Sequence, residues 1–194
     1  GNIGLTGSFG QAVDFGGGLL TSSGMGDIFV AKFSSTGSHT WSKRFGGSNQ
    51  DSGQRLAFDS RGDLYAGGYY QGTAAFGTTN LTSAGNEDVF LMKLSGSTGA
   101  TTWLRNFGGN NSDMCYGLAV DINDQVLMAG SYWGTINMGA GPMTAAGVFD
   151  AYVGKFDQNG TALWSRTFGS PGMTGERALG VAADPSGNPW AIGI

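Results

Sequence analysis

The chain has 194 residues, a formal charge of −4 from fourteen acids and ten bases, thirty-seven glycines, four prolines and one cysteine. That is room for one compact domain, and it excludes an intrachain disulfide, a proline-rich linker and the basic stripe a nucleic-acid-binding surface needs. No apolar run reaches the ~18 residues of a membrane-spanning helix, so insertion by that route is excluded too. The glycines punctuate regular apolar runs without a Gly-X-Y lattice, which suits short strands joined by tight turns.

In chain order, residues 3–9 read as a strand and return as residues 64–70 and 126–132. A glycine-rich excursion then leads to Gly26-Asp27-Ile28-Phe29-Val30-Ala31-Lys32-Phe33, which returns at residues 87–94 and 149–156. The turn Ser35-Thr36-Gly37-Ser38 sends the chain back into Trp41-Ser42-Lys43-Arg44-Phe45-Gly46, repeated at 103–108 and 164–169. Residues 55–59, repeated at 117–121 and 180–184, lead into the Asp-rich turn Ser60-Arg61-Gly62-Asp63 and its copies. The steps from Asp27 to Asp88 to Asp150, and from Asp59 to Asp121 to Asp184, give a period of 61–63 residues. The chain divides into repeats of about 1–61, 62–123 and 124–186, with a partial fourth at 187–194. Side chains alternate with period two throughout, and no stretch has a helical period.

The third segment decides how the sheets pack. Phe29, Ala31 and Phe33 fall on one face and Ile28 and Val30 on the other, so both faces are apolar. A strand with one wet face alternates apolar with polar, whereas burial on both faces needs a neighbour on each side. Repeated four-stranded antiparallel modules, each covered by the next, are the blades of a β-propeller. An immunoglobulin-like sandwich does not repeat internally at this length. The expected fold is all-β.

From Trp41-Ser42-Lys43-Arg44-Phe45-Gly46-Gly47 through Asp51 and Leu56-Ala57-Phe58-Asp59-Ser60-Arg61-Gly62-Asp63-Leu64-Tyr65-Ala66-Gly67, the chain resembles the bacterial seven-bladed β-propeller (SBBP) repeat family. The second copy keeps Phe107-Gly108-Gly109, Asp113 and Asp121 but has Asp124-Gln125 in the hairpin; the third has Gly169-Ser170 and Glu176. The resemblance implies a secreted or surface-exposed bacterial repeat protein, often part of a longer polypeptide, and its motifs describe a blade more than an activity. About three repeats are too few for a ring, since propellers use at least about four blades. The expectation is an incomplete ring, finished by further repeats or by self-association.

Two sets of residues stand out. Asp27, Asp88 and Asp150, Asp51, Asp113 and Glu176, and Lys32, Lys93 and Lys155 recur in every copy, as an architectural role requires and a site used once does not. Residues that break the repeat are the binding candidates: Trp133, with Tyr69, Tyr70 and Tyr132 beside it in the pattern. No catalytic residue is assigned, because there is no Gly-x-Ser-x-Gly elbow and the single histidine, His39, belongs to a hairpin turn. No metal or other cofactor is expected; the recurring acids leave calcium open, and His39 and Cys115 occupy unrelated positions unsuited to zinc. The reading is a non-enzymatic extracellular or cell-surface scaffold that binds a protein or a glycan. The alternatives are a hydrolase-like enzyme with its site in the channel of a completed ring, and a purely structural assembly subunit.

Overall fold

Every regular element of the computed structural model, which describes residues 1–194, is a β-strand, and no sheet closes into a barrel. The first unit contains β1 (Ile3–Phe9), a small hairpin of β2 (Ala12–Asp14) and β3 (Leu19–Thr21), then β4 (Asp27–Phe33) and β5 (His39–Gly47). β4 lies between β1 and β5, antiparallel to both. The second unit pairs β6 (Ser52–Phe58), β7 (Leu64–Phe76), β8 (Thr79–Leu94) and β9 (Thr101–Phe107) in chain order. In the third, β10 (Asp113–Val120) and β11 (Val126–Tyr132) are followed by the hairpin of β12 (Thr135–Asn137) and β13 (Pro142–Thr144), then β14 (Asp150–Phe156) and β15 (Ala162–Phe168). Its sheet order is β10-β11-β14-β15. β16 (Ala178–Ala183) and β17 (Pro189–Gly193) form a final two-stranded hairpin. The first strands of successive units, β6, β10 and β16, lie side by side, with β1 against β6.

The glycine-rich excursion between the second and third strands is itself a hairpin in each unit. In the second unit β7 and β8 run straight through it and turn at Gly77, whose φ of 75° is left-handed. The physical reason is apolar alternation: Ala74 and Phe76 are buried, while Thr73 and Thr82 pair their hydroxyls at the surface. This hairpin also pairs back onto the first unit, Gly46 with Ala75 and Gly47 with Ala74, which joins both units into one seven-stranded sheet.

Period-two alternation sends each strand's side chains into two different cores. On β8, Phe90, Met92 and Leu94 join Ile28, Val30, Trp41 and Phe45 of the first unit. Val89 and Leu91, on the opposite face, join Val126, Met128, Tyr132, Tyr152 and Phe156 of the third. β14 repeats the division: Tyr152 and Phe156 face back, while Ala151 and Val153 face β16. Each core is therefore a seam between units, and burial against neighbours on both faces is what orders the chain. The third seam is thinner, with Ala129, Ala151, Val153 and Ala178 at its centre.

Candidate functional site

At the upper end of the first two seams, where the first and third strands come together, two recurring acids are near neighbours. In the first seam the Gly47 amide donates to Asp51 Oδ2 at 2.7 Å and the Gln71 amide to Oδ1 at 3.0 Å, so one carboxylate ties the link to the adjacent hairpin. Asp27 accepts from Ser22 Oγ and the Ser23 amide and forms an ion pair with Arg44, which also donates to Ser23 Oγ. Burial raises the Asp51 carboxyl above the ordinary range, with the Gly47 and Gln71 amides and Arg44 opposing it.

The second seam has equivalent acids and an uncharged residue in place of the cation. Asp113 is fully buried and accepts from the Gly109 amide at 2.8 Å. The Trp133 amide, at the position of Gln71, faces it, but Asp113 Oδ1 forms no hydrogen bond of normal geometry. Asp88 accepts from the Ala84 amide at 3.0 Å, and its Oδ1 is likewise unpartnered; the buried Tyr70 hydroxyl, also unpartnered, belongs to a ring in the first seam's core. Gly108 is needed here because a Cβ would run into the Asp88 carboxylate. Asn106 replaces Arg44 in register, opposite Phe90 as Arg44 is opposite Phe29. Burial, with the Asp88 and Glu87 charges adding to it against the Gly109 and Trp133 amides, pushes the Asp113 carboxyl up to about 7. In the third seam the Glu176 amide donates to Phe149 O, the Ser170 hydroxyl donates to Glu176 Oε1, and Asp150 accepts from the Ala146 and Gly147 amides.

The lower ends carry the lysines. Lys32 donates to Gly62 O (2.9 Å) and Gly96 O (2.7 Å) of the next unit. Lys93 pairs with Asp59 at 2.9 Å and Asp63 at 3.5 Å. Lys155 pairs with Asp121 at 2.7 Å and reaches Gly187 O at 3.3 Å. The outer-strand tryptophans work across the same seams: Trp41 Nε1 donates to Gly96 O and Trp103 Nε1 to Gln158 O. Their recurrence was plain in the sequence, but not that each caps the next unit's turn.

The four aromatic candidates divide. Trp133 is 41% exposed on the upper rim and lies against Phe149, with ring centroids 5.6 Å apart. Arg177 lies 5.7 Å from the same Phe149 ring, so Phe149 bridges Trp133 and Arg177. Tyr69 is half-buried, with Glu87, Asp51 and Tyr116 near its hydroxyl. Tyr70 and Tyr132 correct the expectation of surface binding residues, because both are fully buried. The Tyr70 ring packs against Phe76, and the Tyr132 ring against Tyr152 while its hydroxyl bonds Thr167 at 2.7 Å. Alternation is the cause: Tyr70 and Tyr132 are the Cα partners of buried Asp88 and Asp150, so they point into the seam. His39 stacks edge-on against Phe33, and its Nε2 lies 3.2 Å from Ser42 Oγ.

Residues 40–69 match the beta-propeller repeat family SBBP, so the resemblance read from the motifs holds at that stretch. An uncharacterized WD repeat-containing protein of Acanthamoeba polyphaga mimivirus is 20% identical over 184 aligned residues, covering 79% of this chain and 13% of that protein. The chain thus spans well under a fifth of that relative's length.

Proposed function

We propose that this SBBP-repeat chain is a non-enzymatic scaffold that docks a protein partner on its upper rim, with its four-stranded units acting as propeller blades. The observation that carries the reading is the Trp133–Phe149–Arg177 cluster: a large aromatic in tilted contact with a second ring that itself carries a cation, yet open to solvent. Tryptophan and arginine dominate the energetic centres of protein interfaces, and a ring already fixed by its neighbours loses little entropy on binding. The propeller-repeat match and the WD-repeat relative support a scaffold over an enzyme. The recurring acids are engaged with backbone amides of the seams, a structural use that leaves the rim to differ from unit to unit.

The test is a photo-reactive residue at position 133 with a control at Ile122, which is exposed in a lower turn. A protein cross-linked at 133 and not at 122 identifies the partner. Trp133→Ala then weakens its binding at least about thirtyfold, as expected for an interface hot spot of ~2 kcal/mol. Unchanged affinity in a folded Trp133→Ala chain overturns the reading, and a glycan array run on both proteins distinguishes a sugar ligand. An extracellular or cell-surface location belongs to the same proposal and is checked by fractionating the native host.

A second reading, self-association, rests on a separate apolar face. Phe168, Ile192 and Ile194 are all more than half exposed around the groove between β14–β15 and the final hairpin. Covering it with a β-unit of a second copy predicts concentration-dependent mass in sedimentation; a monomer with a cooperative melt at all concentrations removes this reading.

A further inference from the structure

We propose that the open edge of β17 is a strand acceptor. Its occupant is an extended partner segment with the pattern of a third strand: large apolar residues at alternate positions and a lysine set opposite Trp190. This goes beyond the self-association reading, which places a whole second copy on the same face.

β16 and β17 stand as first and second strands, joined by the Asp184–Asn188 turn. Its backbone bond matches those of Asp59 with Asp63 and Asp121 with Gln125. In the second and third units the second strand is paired along both edges, β7 by β6 and β8, β11 by β10 and β14. β17 pairs with β16 alone, and all five of its residues are exposed. Such an edge offers a row of free amides and carbonyls to an incoming strand.

The face beside the edge selects the apolar residues. In the first seam Ile28 and Val30 pack with Phe90, Met92 and Leu94 of the next unit's third strand. In the second, Val89 and Leu91 pack with Tyr152 and Phe156. Their counterparts Ala151 and Val153 meet β16 through Ala178 and Val181, and line a groove of about 330 Å³ with Phe168, Ala191, Ile192 and Ile194. Large side chains at alternate positions fit that groove.

The lysine is selected by a carboxylate and a ring. In the second unit Lys93 bonds Asp59 at 2.9 Å and lies 5.0 Å from the centre of the Tyr65 ring, its Cα partner on β7. In the final hairpin Asp184 holds the Asp59 position and Trp190 the Tyr65 position, with the indole N–H facing the Asp184 carboxylate. Trp190 is 67% exposed. Asp184 takes the Ser186 and Asn188 amides and Asn188 Nδ2, and no cation. Lys155 reaches the same turn at Gly187 O but is held by Asp121. A carboxylate beside an open indole face attracts an ammonium by charge and by the ring's quadrupole. The third strands of this chain, β4, β8 and β14, are each paired on both edges, so a folded second copy has none to give.

The probe is a dye-labelled synthetic peptide of residues 86–95, which carries the β8 run Asp88 to Leu94, titrated with the full chain and followed by anisotropy. Saturable binding is expected. Lys93→Glu in the peptide weakens it at least about tenfold, the loss of a charge-assisted contact. Asp184→Asn in the chain, which keeps the turn's acceptor, brings the two peptides to within about threefold of each other. Backbone N-methylation at Val89, Leu91 and Lys93, or instead at Phe90, Met92 and Leu94, abolishes binding for one set alone, because alternate amides of a strand face one edge. Absent binding, equal affinity of the Lys93→Glu peptide, or equal effects of the two methylated sets overturns the proposal. So does a chain that excludes the peptide by pairing with a second copy, which sedimentation without peptide reads separately. Trp133 takes no part, so a failed rim-docking test leaves the acceptor standing, and a failed peptide test leaves the rim reading standing.

Discussion

In the first seam Asp27 and Asp51 meet the guanidinium of Arg44; in the second, Asp88 and Asp113 have Asn106 at the same register position. The acids are retained in both because their acceptor geometry is structural: Gly47 and Gly109 each need a partner for a backbone amide in the link between units. The counter-charge is not structural in that sense. In the first seam it is a guanidinium; in the second the same register position holds an uncharged amide. A repeat can thus fix the hydrogen-bond scaffold while leaving its electrostatics to vary from unit to unit.

Removing the guanidinium breaks the contrast most severely. Arg44→Ala leaves Asp27 buried without its ion pair and should cost about 3 kcal/mol at pH 8, since a buried charge stripped of its partner is strongly destabilising. Urea unfolding at pH 8 measures it, with Arg44→Met as the control that keeps the aliphatic stem. Equal losses in the two variants fit a lost ion pair, whereas an Arg44→Met chain as stable as the parent would mean that Arg44 acts by packing alone.

The intact chain should show the second seam's character without mutation. Asp113 binds its proton more tightly folded than unfolded, so the folded state holds protons that the unfolded state releases between the ordinary value of 3.8 and about 7. Stability is then greatest at the acid end of that window, falls as pH rises through it, and levels off above it. Between pH 5 and pH 8 this one group contributes a fall of about 2–3 kcal/mol. Asp51 and Asp88, also raised by burial, act in the same direction. Asp113→Asn should flatten most of the slope in urea titrations. Asn106→Arg sharpens the comparison from the other side: by rebuilding the first seam's chemistry it should raise stability at pH 8 by about 1 kcal/mol and leave pH 5 nearly unchanged.

Much of this fold was legible because its causes are local and repeated. The double-faced apolar pattern of Ile28 to Phe33 required a neighbour on each side, and β4 and its copies lie between two cores or at the edge of one. The excursion hairpins were harder to see, because Gly77, Gly139 and Gly141 interrupt the alternation that makes Ala74 and Phe76 face inward. Tyr70 and Tyr132 were misread for a related reason: adjacent aromatics, Tyr69-Tyr70 and Tyr132-Trp133, point to opposite faces, and only the register with Asp88 and Asp150 says which is inside. The position that decides the seams' electrostatics was visible as Arg44, Asn106 and Thr167. Its role is not readable from the sequence, because only the strand register places it opposite Phe29 and Phe90 at the upper end of the seams.

The smallest expected effect is at the lower end of the same two seams, where the second seam gains two bonds that the first lacks. Asp124 stands where the other turns have Gly62 and Gly187, and it adopts their left-handed backbone, with φ of 57° against 83° and 81°. A side chain there costs on the order of 1 kcal/mol. Asp124 offsets it by reaching across the seam, accepting from the Ser60 amide at 2.8 Å and the Ser60 hydroxyl at 2.7 Å. Those two bonds hold its carboxyl below the ordinary range, so they strengthen the seam above that range and weaken as pH falls through it, opposite in sign to Asp113. Asp124→Gly removes both strain and bonds and should change stability by no more than about 1 kcal/mol, whereas Asp124→Ala keeps the strain, loses the bonds and should cost about 1 kcal/mol more. Equal stabilities for the two variants would mean that the left-handed backbone carries no strain at this turn, and that the Ser60 bonds are the whole of its contribution.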